Sequence, residues 1–229
     1  MLVLVDFDGT ITDRDGFDLL ARHHAGLERW ERLDRAVRAG TISLREALTA
    51  QARYIRGSLD DASVMLEQNT VVDPSFALFA DRCEERGDAI CIVSSGIRQL
   101  IETSLSRGGI YGVQVYANAA VVRADGWDLV FRDESEHGHD KRTHVLQAHE
   151  RGERVAFIGD GLSDIAAAEI ADLRFAKFGS TLSDHLSRHG LVFTEFQTFA
   201  DILSHDAFAA RITSVKLSSK APLTVSSQS

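Results

Sequence analysis

Apolar residues run unbroken through Leu2-Val3-Leu4-Val5 and then give way to Asp6-Phe7-Asp8-Gly9-Thr10, which predicts a buried strand ending in a glycine turn. Over residues 13–69 the period becomes helical. Phe17, Leu19 and Leu20, then Leu27, Trp30, Leu33 and Val37, then Leu44, Ala47 and Leu48, then Val64 and Met65 recur as helix faces, punctuated by Gly26, Gly40 and Gly57. Ser43 followed by Glu46 is a capping-box signature for the third of these helices. No strand pattern falls here, so residues 13–73 read as a helical cap inserted after the first strand. Asp73-Pro74-Ser75 marks the return, with Asp73 as N-cap and Pro74 at the first position of a helix over residues 76–86 that Gly87 stops.

From Asp88 onward strand and helix alternate: strands at 89–93, 113–116 and 155–158, helices at 98–106, 141–150 and 165–171. Alternation of this kind predicts an α/β fold, a doubly wound parallel sheet with helices on both faces. Segments 119–122 and 129–131 flank Ala124-Asp125-Gly126 as a hairpin appended to the sheet. Strands at 174–176 and 191–193 and helices at 182–188 and 198–208 complete a core assigned to residues 1–12 and 74–212. The Ser-, Thr- and Lys-containing stretch 213–229 lacks any core period and reads as a disordered tail.

Length and composition agree with one large domain carrying an insertion: 229 residues, 44% of them hydrophobic, suffice for a substantial core. Cys83 and Cys91 match neither a disulfide framework nor a zinc spacing, so both read as reduced packing residues, in keeping with a cytoplasmic location. There is no basic leader and no apolar run of about 18 residues, which argues against a signal peptide or membrane span. The net charge of −9, with bases interleaved among acids, argues against nucleic acid or an anionic membrane as a partner. It also requires any phosphate site to be made positive locally, by metal, lysine, arginine or backbone N–H groups.

Candidate chemistry sits at strand ends, where open α/β sheets bind ligands. Asp6 and Asp8 are two apart on an extended chain and face one small volume; two such carboxylates repel unless a cation such as Mg²⁺ lies between them. They would otherwise serve as a capping pair. Ser94-Ser95-Gly96 follows a strand and opens a helix, offering a hydroxyl and unpaired N–H groups to phosphate oxygens, or simply a helix cap. Lys141 opens a helix against the dipole, as a solvated charge or as a group used elsewhere. In Gly159-Asp160-Gly161-Leu162-Ser163-Asp164, Asp160 is placed to complete a metal shell with Asp6 and Asp8, and Asp164 to bind through water or to orient Lys141. His137 and His139 flank Asp140 with a metal-like spacing but no visible third ligand, so a polar loop is the competing reading.

Taken in order, Asp6-x-Asp8-Gly9-Thr10, Ser94, Lys141 and Gly159-Asp160-x-x-x-Asp164 resemble the motifs of the haloacid dehalogenase superfamily of phosphatases over residues 1–205. Segment 6–15, the phrase from Trp30 to Arg38-Ala39-Gly40-Thr41-Ile42-Ser43-Leu44-Arg45-Glu46, and Tyr116-Ala117-Asn118 look most like the branch of phosphoserine phosphatase and the methionine-salvage hydroxyketo-methylthiopentenyl phosphate phosphatase. The resemblance implies a Rossmann-like core with an inserted cap and a Mg²⁺-dependent phosphatase working through an aspartyl phosphate. It assigns Asp6 as nucleophile and Asp8 as acid and then base. Mg²⁺ would be held by the Asp6 carboxylate, the Asp8 carbonyl, Asp160 and Asp164, with Ser94 and Lys141 neutralising the phosphoryl oxygens. Asp8 separates phosphatases from the dehalogenases, since halide needs no acid to depart.

For a small phosphorylated metabolite the resemblance points to Thr10, Asp15, Arg53, Ser95, Gly96 and Ser163 as substrate-binding residues, with Arg56 beside Arg53. Three positions depart from phosphoserine enzymes: Asp15 stands for a glutamate, Ser163 for an asparagine, and Ser95-Gly96 for Gly-Gly. A phosphotransferase on the same scaffold remains an alternative. A receiver-like signalling module is a second, although its phospho-acceptor would follow a middle strand and it needs no helical insertion. Monomer and homodimer both stay open, with the cap surface around Trp30 as a candidate dimer contact.

Overall fold

The computed structural model describes residues 1–209, so the predicted tail at 213–229 lies outside the described residues. The chain runs β1 (Leu2–Val5), then four helices α1 (Gly16–Ala25), α2 (Leu27–Arg38), α3 (Leu44–Ala52) and α4 (Leu59–Asn69). It returns through α5 (Phe76–Glu85), β2 (Ala89–Ile97), α6 (Arg98–Arg107), the hairpin β3 (Gln114–Arg123) and β4 (Gly126–Val130), α7 (Arg142–Glu150) and β5 (Val155–Gly159). It closes with α8 (Ile165–Ile170), β6 (Leu173–Lys177), α9 (Thr181–Arg188), β7 (Thr194–Phe196) and α10 (Phe199–Leu203).

The seven strands form one sheet in the order β4-β3-β2-β1-β5-β6-β7, parallel throughout except for the β3–β4 pair. β1 is central: Leu4 lies opposite Cys91 of β2 on one side and Phe157 of β5 on the other. Its unbroken apolar sequence follows from that position. Val3 and Val5 enter the core against α5 and α10, with Phe76, Phe79 and Phe199, while Leu2 and Leu4 enter the core on the opposite face with Val145, Phe157 and Leu182. The chain leaves β1 toward β2 on one flank and later returns to β5 on the other, so the strand order switches at β1. A crevice opens there, beyond the carboxyl ends of the three strands.

The cap helices begin and end at a narrow neck where Thr12 and Val72 form an antiparallel bridge and the Asp13 amide donates to Val71 at 3.0 Å. Capping boxes start α3 at Ser43 with Glu46 and α4 at Ser58 with Asp61. Cap and core share one apolar cluster: Phe17, Leu20, Leu48, Ala52 and Leu66 pack with Ile97 and Leu100 of the core and Trp127 of the hairpin. The Trp127 indole donates to the carbonyl of Gly57 at 3.1 Å, fastening β4 to the loop after α3.

Several elements depart from the sequence expectation for long-range reasons. Segments 113–116 and 119–122 form one strand, β3, that pairs parallel with β2 at one end and antiparallel with β4 at the other. Ser94-Ser95-Gly96 lies inside β2, where the pairing shifts between Val93 and Ile97, instead of after it. The last strand is Thr194–Phe196, not 191–193, because pairing with β6 begins at Phe175 opposite Thr194. Asp73 does not cap α5. Its carboxylate accepts from Ser75 N at 2.8 Å and Phe199 N at 2.9 Å, so it ties α5 to α10, and the helix starts at Phe76. α10 ends at Leu203, and Phe208 packs separately on Phe79 at a ring-centroid distance of 5.0 Å. Among the described residues no helix is long and apolar enough to cross a membrane.

Candidate active site

Asp6 follows β1 directly, its amide donating to Ile158 at 2.9 Å, so the sheet itself sets its position. The chain then turns at Gly9, with φ of +80°; a Cβ there would lie 2.5 Å from an Asp160 carboxylate oxygen. The glycine is needed for both the turn and that close approach. Thr10, fully buried, donates its hydroxyl to Asp160 at 2.9 Å and therefore orients that carboxylate. A similar constraint acts at Gly96, where a Cβ would stand 2.3 Å from Asp8 Oδ2.

Lys141 caps α7 and buries its whole side chain between two strand ends, donating to Asp6 at 2.5 Å and to Asp164 at 2.6 Å. Asp164 accepts from the amides of Asp160 at 3.0 Å and Gly161 at 2.8 Å with its other oxygen. Thus Asp164 holds both Lys141 and the loop that carries Asp160. Burial works against charge on Lys141, but the Asp164 and Asp6 carboxylates more than offset it and keep the ammonium above its ordinary range. Burial, only partly countered by Lys141, pushes the Asp6 carboxyl up to about 7.

Asp8 has different company. It accepts from the Gly16 amide at 2.8 Å and lies 3.5 Å from the Ser94 hydroxyl, with no cation in direct contact among the described residues. Burial first, and the charge of Asp15 second, push its carboxyl up to about 8. Ser94 Oγ accepts from Gly96 N at 2.9 Å, which leaves its own proton for a ligand or for Asp8.

Asp6, Asp160 and Asp164 each offer an oxygen, and the three lie within 4.8 Å of one another. Burial and then the Asp6 and Asp164 charges raise the Asp160 carboxyl well above the usual range. This is excess negative charge among hard oxygen donors, and it fits a small divalent cation. The Asp8 carboxylate is turned away from this triad toward Gly16, so its side chain is not part of the cluster.

A cavity of about 410 Å³ lies above these groups, floored by Asp6, Asp8, Ser94 and Asp160 and roofed by α2 and α3. Of the residues expected to bind substrate, Asp15, Ser95, Gly96 and Ser163 border it. Thr10 does not, being occupied with Asp160. Arg53 is also absent from its walls: its guanidinium is exposed and pairs with Asp128 of β4 at 3.2 Å. Arg56 folds back on the carbonyls of Arg53 and Ile55.

Trp30, the residue around which a cap contact surface is expected, is half-buried. It lines the cavity and donates to Asp18 at 2.7 Å. Asp18 and Gln51 are further wall residues that sequence reading missed, although Gln51 carried a signal as the one polar residue among the buried positions Ala47, Leu48 and Ala52 of α3. Among the described residues His139 and His137 belong to no cluster that could hold a metal. The Nδ1 of His139 donates to the Ser94 carbonyl at 2.9 Å, and its Nε2 lies 2.9 Å from His144 Nε2. Burial lowers its pKa to about 4, so the ring is neutral and accepts from His144. The pair braces the strand that presents Ser94.

Comparison with known proteins places these groups in a wider setting. Residues 3–169 match the haloacid dehalogenase-like hydrolase family. Pdp3-interacting factor 1 of Schizosaccharomyces pombe is 34% identical over 212 residues, covering 88% of this chain and 93% of that one. Polyol phosphate phosphatase PYP1 of Saccharomyces cerevisiae is 30% identical over 219 residues, covering 89% and 91%. A solved structure described as a phospho-aspartyl intermediate analogue of phosphoserine phosphatase superposes with a TM-score of 0.68 at 18% identity, covering 88% of this chain and 96% of that one, a likeness of fold.

Proposed function

The chain belongs to the haloacid dehalogenase-like hydrolases and is a phosphoric monoester hydrolase, and from that premise we propose a Mg²⁺-dependent phosphatase that cleaves a small phosphorylated metabolite through an aspartyl phosphate on Asp6. One observation carries the reading: two carboxylates two residues apart have opposite partners. Asp6 is held by an ammonium at 2.5 Å, which favours its ionised form, whereas Asp8 has only the Gly16 amide at 2.8 Å, whose pull toward the ionised form is outweighed by burial and the Asp15 charge, so its carboxyl is raised to about 8. A carboxylate fixed by a cation and a carboxyl without one support the roles of nucleophile for Asp6 and acid for Asp8.

In the first half-reaction an Asp6 oxygen attacks phosphorus in line as the bond to the leaving oxygen breaks, and Asp8 gives its proton to that oxygen. In the second, Asp8, now ionised, takes a proton from water; the water oxygen attacks phosphorus and Asp6 is released as a carboxylate. The Ser94 hydroxyl, at the cavity floor, would face the phosphoryl oxygens, while Lys141, buried behind Asp6, would fix which way Asp6 points and add positive charge beside them. Mg²⁺, held by Asp6, Asp160 and Asp164, would supply the positive charge that a phosphate needs in so acidic a crevice. Thr10, Gly9 and Asp164 act on position, not on substrate. Nothing in this arrangement matches a receiver-like module, because the acid pair follows the first strand and a cap roofs it.

The deciding experiment measures phosphate release from a panel of phosphorylated metabolites with Mg²⁺ and with EDTA, using the wild type and Asp6→Asn. The expected result is turnover that EDTA stops and that Asp6→Asn lowers more than about a thousandfold while the melting curve stays cooperative. Substantial activity in Asp6→Asn would overturn the assignment.

A further inference from the structure

Residues 94–96 fall at the register shift of β2, so the ladder that pairs Val93 with Tyr116 and Ile97 with Asn118 of β3 skips them. Side chains take two of their carbonyls instead. His139 Nδ1 donates to the Ser94 carbonyl at 2.9 Å and Asn118 Nδ2 to the Ser95 carbonyl at 2.7 Å, and both side chains are buried. Backbone oxygens in a broken ladder need such partners, and the partners then fix where the backbone lies. That position matters at the cavity, because Ser94 and Ser95 both border it and the Ser95 hydroxyl is buried with no partner among the described residues.

Both anchors are set by the loop between β4 and α7. The Arg132 amide donates to Asn118 Oδ1 at 3.0 Å, and His139 is itself a loop residue. The loop is braced across its own base: the Asp133 carboxylate accepts from the Asp140 amide at 2.7 Å, and the Gly138 carbonyl accepts from the Arg132 amide at 3.0 Å. From outside it is held by the cap. Arg45, in the first turn of α3, donates its amide to the Glu136 carbonyl at 2.8 Å and its guanidinium to the Asp133 carbonyl; the guanidinium also pairs with Glu134 at 3.0 Å and covers the Phe131 ring at 4.4 Å. Neither Arg45 nor Asn118 borders the cavity. One cap residue thus bears on the loop that orders Ser94 and Ser95.

We propose that Asn118 and Arg45 are positioning residues for the reaction. Asn118 holds Ser95 directly, and Arg45 holds the loop against which Asn118 and His139 are set, so the seating of the cap on the core shapes the pocket for the phosphoryl group. This rests on the phosphatase reading above and adds to it two residues that touch no substrate. The metal triad is braced by other groups, Asp160 by Thr10 and both Asp6 and Asp164 by Lys141, so the two residues act on phosphate and not on Mg²⁺.

The test measures the inhibition constant of inorganic phosphate and kcat/KM for p-nitrophenyl phosphate, together with the rise in melting temperature on adding Mg²⁺ alone. It compares the wild type with Arg45→Ala and with Asn118→Leu, which keeps the shape of the side chain and loses both hydrogen bonds. The phosphate constant is expected to rise about tenfold in Asn118→Leu and at least about threefold in Arg45→Ala, with kcat/KM falling by a similar factor and the Mg²⁺ shift unchanged. A residue needed only for stability would lower the melting temperature and leave the constants of the folded enzyme alone. Because the Arg45 guanidinium is partly exposed, that variant keeps the test decisive should Asn118→Leu fail to fold. An unchanged phosphate constant in Arg45→Ala or in a folded Asn118→Leu, or a Mg²⁺ shift that falls along with phosphate binding, overturns the proposal and leaves the phosphatase reading intact. No turnover of p-nitrophenyl phosphate or of any other phosphate ester overturns that reading and the proposal with it.

Discussion

Lys141 donates to the Asp164 carboxylate across 2.6 Å, and both side chains are cut off from solvent. The pair joins the start of α7 to the loop after β5, and through Asp6 it reaches the end of β1 as well. A buried cation with two carboxylate partners holds the crevice in one shape, and removing it leaves negative charge with nothing to balance it.

Lys141→Met is accordingly expected to abolish activity and to destabilise the fold by about 3–5 kcal/mol, the usual cost of stranding a buried charge. Mg²⁺ should recover part of that loss, because it answers the same carboxylates. Denaturant melts of wild type and variant, each with and without Mg²⁺, check this; an unchanged midpoint for the metal-free variant would contradict it.

Asp8 makes a pH prediction. With its carboxyl raised to about 8 by burial and by Asp15, the protonated form needed to expel an alkoxide persists through neutrality and is lost as pH climbs past about 8. Alkyl phosphate turnover should therefore fall on the alkaline side. The phosphorylation step with p-nitrophenyl phosphate, whose leaving group departs without a proton, should show a much weaker alkaline limb. Single-turnover pH profiles for the two ester classes provide the comparison.

Metal binding and pH should be linked through Asp6 and Asp160. Both carboxyls are raised by burial, Asp6 to about 7, so the folded chain binds these protons more tightly than the unfolded one. For the metal-free protein this stability is present at low pH and is lost as pH rises through about 7. Mg²⁺ competes with those protons, so the rise in melting temperature on adding it should be larger at pH 8 than at pH 6. Differential scanning fluorimetry at the two pH values, with Mg²⁺ or EDTA, would show the sign.

A further prediction concerns the seam between hairpin and cap. Gly126 has φ of +139°, and a Cβ there would stand 2.3 Å from the backbone carbonyl oxygen of Arg53. Gly126→Ala should lower stability by at least about 1 kcal/mol, a melting shift of roughly 2–4 °C for a chain of this size. The altered seam should also weaken substrate binding more than the chemical step, since it carries α3 and Gln51. A KM that rises with kcat nearly constant is the expected pattern.

How much of this was legible beforehand depended on how local each signal was. The buried pattern of Leu2 to Val5, the capping box at Ser43 and the glycine turn at Gly9 are set by neighbours along the chain, so the first strand, a cap helix and the place of Asp6 and Asp8 could be read directly. Lys141 and Asp164 were visible as candidates, with two roles open for each. Their mutual contact joins two loops that only the sheet order brings together.

Arg53 shows the reverse. The family resemblance puts it near a substrate, but Asp128 on the distant hairpin draws it to the outer surface of the cap. Trp30 counts in the sequence as one apolar position of a helical face and Gln51 carries no reading there; only the packing of α2 and α3 over the crevice brings both to the cavity wall. By itself, then, the sequence determined the α/β alternation, the inserted cap and the chemical inventory of the strand ends, because periodicity, turn chemistry and motif order act over a few residues. The tertiary structure alone decided which carboxylate meets a cation and which a neutral amide, which side chains take the carbonyls of Ser94 and Ser95, and where pairing of the last strand begins. Those outcomes depend on contacts between segments far apart in the chain, whose geometry no local pattern contains.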